Sequence, residues 1–367
     1  MVKEIFSEIG GGLLLSEAFA CCGRLARSHY ENFSVVSFLL PKRLRVPMEV
    51  VYAYCRYSDD LGDANDGSES ARVRAIELLD QWERRVDECF RYADGDLTSE
   101  QQYAQSIASE ISAGSKSVLL PDLGYPICVA LSDVVRQYKL PKEPFTNLLI
   151  AFRQDQTKRR YDTMEELVGY CCNSANPVGR IVLHLVYAVA GGCGGSGGSG
   201  GVAGADRVGE IEIEPRVLSL SDSICTGLQL ANFWQDIARD WLMGRCYIPR
   251  EVALRYGIDI DVDVNANIDA DLVNAGARKL PFGETAEFKS MMRELVDDAR
   301  KRLIAGVPLL DAVPKMIRFD ISLFIRGGLA ILNAIENINY CVLKKRPIVT
   351  KLDKIKIIIN ALLNRKF

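Results

Sequence analysis

Apolar residues recur at helical spacing through most of the chain. Between Ala71 and Tyr92, the residues Val73, Ile76, Leu79, Val86 and Phe90 fall three, four or seven apart among charged neighbours. That spacing predicts one apolar face on a 3.6-residue repeat. Comparable patterns run through residues 127–138, 144–152, 218–242 and 288–304. Strand-like alternation is scarce, and Ile211-Glu212-Ile213 is a short exception that reads as loop. The pattern predicts an all-α chain of roughly ten or more helices, without an internal repeat of solenoid period.

One stretch breaks the rhythm. From Gly191 to Gly204, nine residues are glycine, several in Gly-Gly-Ser repeats, a composition that behaves as flexible linker. It contains a literal GxGxxG at Gly192, Gly194 and Gly197. A nucleotide fingerprint must follow a strand and open a helix, whereas this run follows a helix-like segment. It reads as a loop insertion at 191–204 within one large domain spanning 1–367.

At 367 residues the chain can bury a substantial core, and its formal net charge of −3 gives no electrostatic case for nucleic acid. Eleven cysteines invite a disulfide reading. Cys21-Cys22 and Cys171-Cys172 are adjacent pairs, however, and neither a CxxC motif nor a signal-peptide pattern occurs. Reduced thiols and a cytoplasmic location are expected. With His29 and His184 the only histidines, a histidine-rich zinc site is not expected. No apolar run approaches the roughly 20 residues that span a bilayer, while peripheral membrane contact stays open. The mixed basic and apolar run 351–367 predicts a terminal helix packed on the core with its basic face in water, in preference to one resting on an anionic membrane.

Two DxxxD motifs carry the chemistry: Asp59 with Asp63, and Asp236 with Asp240. A separation of four places both carboxylates of a pair one turn apart on one helix face, where like charges repel unless a cation lies between them. Magnesium suits such a pair, since it takes oxygen ligands and is usually shared with substrate phosphates. Tyr52, Tyr54 and Tyr57 lie near the first pair, and Phe233, Trp234 and Trp241 surround the second. Carboxylates in an apolar setting are rarely left uncompensated, and aromatic faces can stabilise a passing carbocation. Arg56, three before Asp59, could hold a phosphate oxygen or could pair with a neighbouring acid. Tyr52 is four before Arg56, on its face.

These motifs, together with further blocks in order along the chain, resemble the squalene/phytoene synthase family. The blocks are His29-Tyr-Glu-Asn-Phe33, Phe152-Arg-Gln-Asp155, Tyr170-Cys-Cys-Asn-Ser-Ala-Asn-Pro-Val-Gly179, Gly244-Arg-Cys-Tyr-Ile-Pro249 and Gly327-Gly328. The likeness runs from about Ala26 to Lys354 and is nearest in wording to the hydroxysqualene synthase branch. The phrases nearest that branch are Asn-Ser-Ala-Asn-Pro-Val-Gly179 and Asn232-Phe-Trp-Gln-Asp236, whereas phytoene and ordinary squalene synthases usually carry an Asn-Ile-Leu-Arg-Asp type of second motif. Here Trp234 stands for the leucine and Gln235 for the arginine, which changes charge and shape near the diphosphate.

The resemblance implies an isoprenoid-synthase fold, with a central cavity flanked by two facing Asp-rich helices. It implies that presqualene diphosphate is ionised and that water captures the rearranged cation to give hydroxysqualene, without NADPH. By matched motif, Asp59, Asp63, Asp236 and Asp240 would bind Mg²⁺–diphosphate, and Arg56, Tyr52 and His29 would contact the diphosphate. Gln229 and Asn232 would line the catalytic face, and Phe33, Tyr170, Ala175 and Asn176 would shape the prenyl channel. Two alternatives remain: a head-to-head synthase making presqualene diphosphate, squalene, phytoene or dehydrosqualene, and a catalytically silent assembly factor, disfavoured because all four aspartates are present.

Overall fold

A computed structural model of the chain describes residues 15–28, 40–63, 68–93, 124–191, 211–260 and 282–363. Within these residues every regular element is an α-helix. In chain order they are α1 (Leu15–Ser28), α2 (Lys42–Asp63), α3 (Glu69–Ala93), α4 (Gly124–Tyr138), α5 (Glu143–Thr157), α6 (Met164–Ser174) and α7 (Asn176–Ala190). Then follow α8 (Pro215–Leu242), α9 (Arg250–Arg255), α10 (Ala286–Ala305), α11 (Leu309–Ala312), α12 (Lys315–Asn337) and α13 (Lys351–Leu363). The helices expected from periodicity are α3, α4, α5, α8 and α10, and residues 211–213 are loop. Of the glycine-rich insertion, only Gly191 falls among the described residues.

Contacts group the chain into two units, one of residues 1–65, 69–153 and 181–212, the other of 66–68, 154–180 and 213–367. In the first, α2 packs against α1, α3 and α4. Its buried stripe includes Val50, Tyr54, Tyr57, Ser58 and Leu61. The Tyr54 ring packs on Trp82 and Phe145 at centroid separations of 5.9 and 5.1 Å. Its hydroxyl donates to the Phe145 carbonyl at 2.8 Å. The Trp82 indole N–H donates to Ser58 Oγ at 2.8 Å, so the polar atoms in this aromatic core are satisfied. A Cβ on Gly124 would lie 2.9 Å from the Tyr57 hydroxyl, so the start of α4 must be bare there. On α3 the buried stripe is Ala75, Leu78, Leu79, Trp82, Val86, Cys89 and Phe90. Val73, expected on the apolar face, is 48% exposed. It lies about 200° around the helix from Ala75, so its spacing to Ile76 was accidental.

In the second unit α8 is the packing centre, against α10, α12 and α6. Leu303 of α10 is fully buried and wedges between two glycines. A Cβ on Gly227 of α8 would come within 2.8 Å of it, and one on Gly328 of α12 within 2.9 Å. The neighbouring Gly327 meets nothing within 4 Å. Only the second glycine of the Gly327-Gly328 pair is therefore required by packing.

Gly227→Val should overpack this junction and cost about 1–3 kcal/mol. Gly327→Ala, inside an open helix face, should be neutral or stabilise by up to about 1 kcal/mol. Urea denaturation of the two variants beside the parent chain checks both signs.

Candidate active site

On α2, Tyr52, Arg56, Asp59 and Asp63 follow one another at intervals of four, three and four, so they share a face. Burial of Tyr54, Tyr57 and Ser58 on the other side fixes the rotation of the helix. The first aspartate pair is correspondingly open: the Asp59 side chain is 41% accessible and Asp63 is exposed. The apolar setting expected for this pair is thus not found, because Tyr54 and Tyr57 point into the core, away from it. Arg56 reaches Asp60 at 2.5 Å and Asp59 at 3.4 Å, a pairing with neighbouring acids. Tyr52 is half-buried, and desolvation pushes its hydroxyl above the usual range. His29 and Phe33 lie outside the described residues.

The second pair sits on α8, where Gln229, Asn232, Asp236 and Asp240 also share a face. Asp240 is buried and Asp236 partly so. Burial, reinforced by the Asp236 charge, pushes the Asp240 carboxyl up to about 7, against the pull of Arg245, Arg239 and Arg346. Gln229 is half-buried and Asn232 is exposed. Trp234, two residues from Asp236 and so on another face, is fully buried with its ring edge-on to Phe233 at 6.5 Å. Its shape acts on core packing rather than beside the pair.

Helix α8 stops just after Asp240 for a local reason. Gly244 adopts φ 76°, a left-handed conformation that costs a side-chain-bearing residue about 1–2 kcal/mol. The Arg245 N–H returns to the Asp240 carbonyl at 2.8 Å and the Gly244 N–H to that of Trp241 at 2.9 Å, a Schellman turn. The chain leaving it pairs with the loop before α6: Cys246 N–H to Arg159 O, Arg250 N–H to Tyr161 O and Glu251 N–H to Asp162 O, each at 2.9 Å. These bonds stack Tyr247 on Phe233 with centroids 3.8 Å apart, and on Tyr161 at 5.9 Å. Tyr170 completes the cluster, and its hydroxyl donates to Asp155 Oδ2 at 2.9 Å. Burial and the Asp155 charge raise the Tyr170 and Tyr247 hydroxyls above the ordinary range, so both rings stay neutral. Asn176 is buried, with its Oδ1 accepting from Thr226 Oγ1 of α8 at 3.0 Å, and Ala175 caps α6.

Sequence reasoning gave no role to Arg346. Its guanidinium grips Asp236, with Nε on Oδ1 and Nη2 on Oδ2 at 3.0 Å, and Nη2 also touches Gln235 Oε1 at 3.3 Å. The Gln235 amide donates to the Pro347 carbonyl at 2.6 Å. Gln235 therefore fastens the 346–347 segment to α8, and Arg346 supplies the counter-charge that Asp236 needs. Nothing in the local sequence marks a pair 110 residues apart. The signal available was the exchange of arginine for Gln235, which leaves that position without a cation of its own.

Among the described residues no group of three or more His, Cys, Asp or Glu is placed to hold a metal alone. Magnesium keeps several waters and takes phosphate oxygens, so a pair of carboxylates per helix fits it. The raised Asp240 carboxyl beside Asp236 is the strain that a divalent cation would relieve.

That strain has a measurable consequence in metal-free protein. Folded Asp240 binds a proton between about pH 4, where an unfolded aspartate titrates, and pH 7, so stability should fall as pH rises through that window and level off above it. The slope it adds is at most about 1.4 kcal/mol per pH unit. Asp240→Asn should flatten the fall, as followed by urea midpoints from pH 5 to 8; equal slopes in both proteins would contradict the placement of Asp240.

Comparison with known proteins agrees with the sequence motifs. The squalene/phytoene synthase family profile matches residues 26–353. The crystal structure of squalene synthase HpnC from Alicyclobacillus acidocaldarius is similar over 89% of this chain and 95% of that one, at 32% identity and a TM-score of 0.62. Hydroxysqualene synthase of Sinorhizobium fredii is 25% identical over 297 residues, 80% of this chain and 76% of that protein. Phytoene synthase 3 of Zea mays is 24% identical over 292 residues, 80% of this chain but 52% of the maize protein, so the chain spans about half the length of that relative. The all-α architecture is that of the solved squalene synthase, and the chain belongs to the squalene/phytoene synthase family.

Proposed function

We propose that the protein is a Mg²⁺-dependent prenyl-diphosphate enzyme that converts presqualene diphosphate to hydroxysqualene. The observation that carries this reading is the Asp236–Asp240 pair, with Asp240 buried and Asp236 partly so, in the same unit as the Phe233, Tyr247, Tyr170 and Tyr161 cluster. Asp59 and Asp63 on α2, and Asp236 and Asp240 on α8, would hold Mg²⁺ with the diphosphate. When bound, the metal supplies charge neutralisation to the leaving group as the carbon–oxygen bond breaks.

The chain's own groups account for the rest. Arg56 and Tyr52, on the Asp59 face, would orient the diphosphate, giving up part of the Asp59 and Asp60 pairing. The diphosphate leaves with the bonding electrons, and the cyclopropylcarbinyl cation meets neutral aromatic faces, with the Asp155 carboxylate behind Tyr170 as a fixed negative charge. Water then adds to the rearranged cation and loses a proton, so no hydride donor is needed. Support for this outcome comes from the Sinorhizobium fredii hydroxysqualene synthase and the Asn-Phe-Trp-Gln-Asp wording around Asp236.

The phytoene synthases among the relatives favour a second reading, head-to-head joining of two prenyl diphosphates. A product assay separates the two. Purified protein with Mg²⁺ and no NADPH is incubated with presqualene diphosphate, and separately with farnesyl or geranylgeranyl diphosphate, and lipids are analysed by mass spectrometry. Hydroxysqualene from presqualene diphosphate is expected. Asp236→Ala and Asp59→Ala should each lower its rate about a hundredfold or more, the scale of several kcal/mol of lost charge stabilisation. Product from farnesyl or geranylgeranyl diphosphate alone would move the assignment to the second reading.

A further inference from the structure

Helix α13 packs on α12, as its sequence predicts, but leaves a stripe of its apolar residues in solvent. Leu352, Ile355, Ile359 and Leu362 are 69, 52, 47 and 59% exposed. At about 100° per residue they occupy an arc of roughly 80°. Helix α13 packs against α12, and its less exposed residues, Ile357, Ile358 and the buried Ala361, lie on the other side from that arc. The helix therefore has apolar residues on two sides, one covered by its own fold and one in solvent beside the exposed lysines. Ile348, just ahead of the helix, is also 59% exposed.

The base of this helix is pinned. Pro347 is buried and held by Gln235, and Thr350 and Asp353 form a reciprocal cap, the Asp353 N–H donating to Thr350 Oγ1 at 3.2 Å and the Thr350 N–H to Asp353 Oδ2 at 3.1 Å. Asp353 is the one acidic residue between 344 and 366, against eight Lys and Arg, in a chain whose formal net charge is −3. Its carboxylate is spent on the cap. Lys356, exposed, lies about 40° beyond Leu352 at one edge of the stripe, and Lys354, also exposed, lies about 80° beyond Leu362 in the other direction. No described helix is long and apolar enough to cross a membrane. An apolar stripe rimmed by lysines suits a helix that lies in a bilayer interface, with its apolar residues below the headgroups and its ammonium groups among them.

We propose that α13 docks the protein on a lipid bilayer bearing anionic headgroups. The inference stands apart from the proposed reaction, since it needs no prenyl substrate. It is tested by sedimenting full-length protein with phosphatidylcholine vesicles, with and without phosphatidylglycerol. Binding to the anionic vesicles is expected, weakened by added salt. Both Ile355→Ser/Ile359→Ser and Lys354→Glu/Lys356→Glu should reduce it at least about tenfold, with circular dichroism and thermal midpoint unchanged because these side chains are exposed. The proposal is overturned if the parent protein binds neither vesicle, binds both equally, or binds undiminished in the two variants. It is equally overturned if sedimentation velocity shows a dimer that the serine variant abolishes, which would assign the stripe to a second copy of the chain.

Discussion

Two carboxylates one helical turn apart, one of them buried, repel each other with little water to screen them. That repulsion between Asp236 and Asp240 is the constraint around which the second unit is organised. Burial raises the Asp240 carboxyl, and the Asp236 charge strengthens the effect. The fold offsets it from two directions: Arg245 arrives through the Schellman turn at Gly244, and Arg346 arrives from beyond α12. Neither neutralises the pair completely, as the raised Asp240 carboxyl shows. That residual demand for positive charge is one the proposed metal–diphosphate would meet.

The same backbone features serve charge and shape together. Gly244 ends α8 so sharply that the following strand of chain can bond to residues 159–162, and those bonds bring Tyr247 flat against Phe233. Gly227 and Gly328 let α10 and α12 close on α8 around Leu303, which gives the helix bearing the pair a rigid support. On α2 the equivalent support is the Tyr54, Tyr57 and Trp82 core, which turns Asp59 and Asp63 outward.

Much of this was legible in the sequence because it is local. Helical periodicity located α3, α4, α5, α8 and α10, and the i, i+4 spacing put each aspartate pair on one face. Periodicity failed at Val73 on α3, whose spacing matches the buried stripe by accident, and on the outer face of α13, where hydrophobicity alone does not say which of two apolar sides finds a partner. Burial was misjudged on α2, where nearby tyrosines in sequence point away from the aspartates in space. The role of Arg346 was illegible because it depends on a contact between segments far apart in the chain, and Tyr247 stood in a recognised motif without any local cue that its ring would stack on Phe233.

The proposed function requires that each aspartate pair takes part in binding divalent metal and diphosphate. The most direct measurement is Mn²⁺ binding by electron paramagnetic resonance, with and without inorganic pyrophosphate, which is not turned over. Pyrophosphate should strengthen Mn²⁺ binding to the parent chain, and both Asp63→Ala and Asp240→Ala should weaken that binding by at least about tenfold, the scale of one lost charged ligand. Metal binding that ignores pyrophosphate, or that survives both substitutions unchanged, would contradict the account.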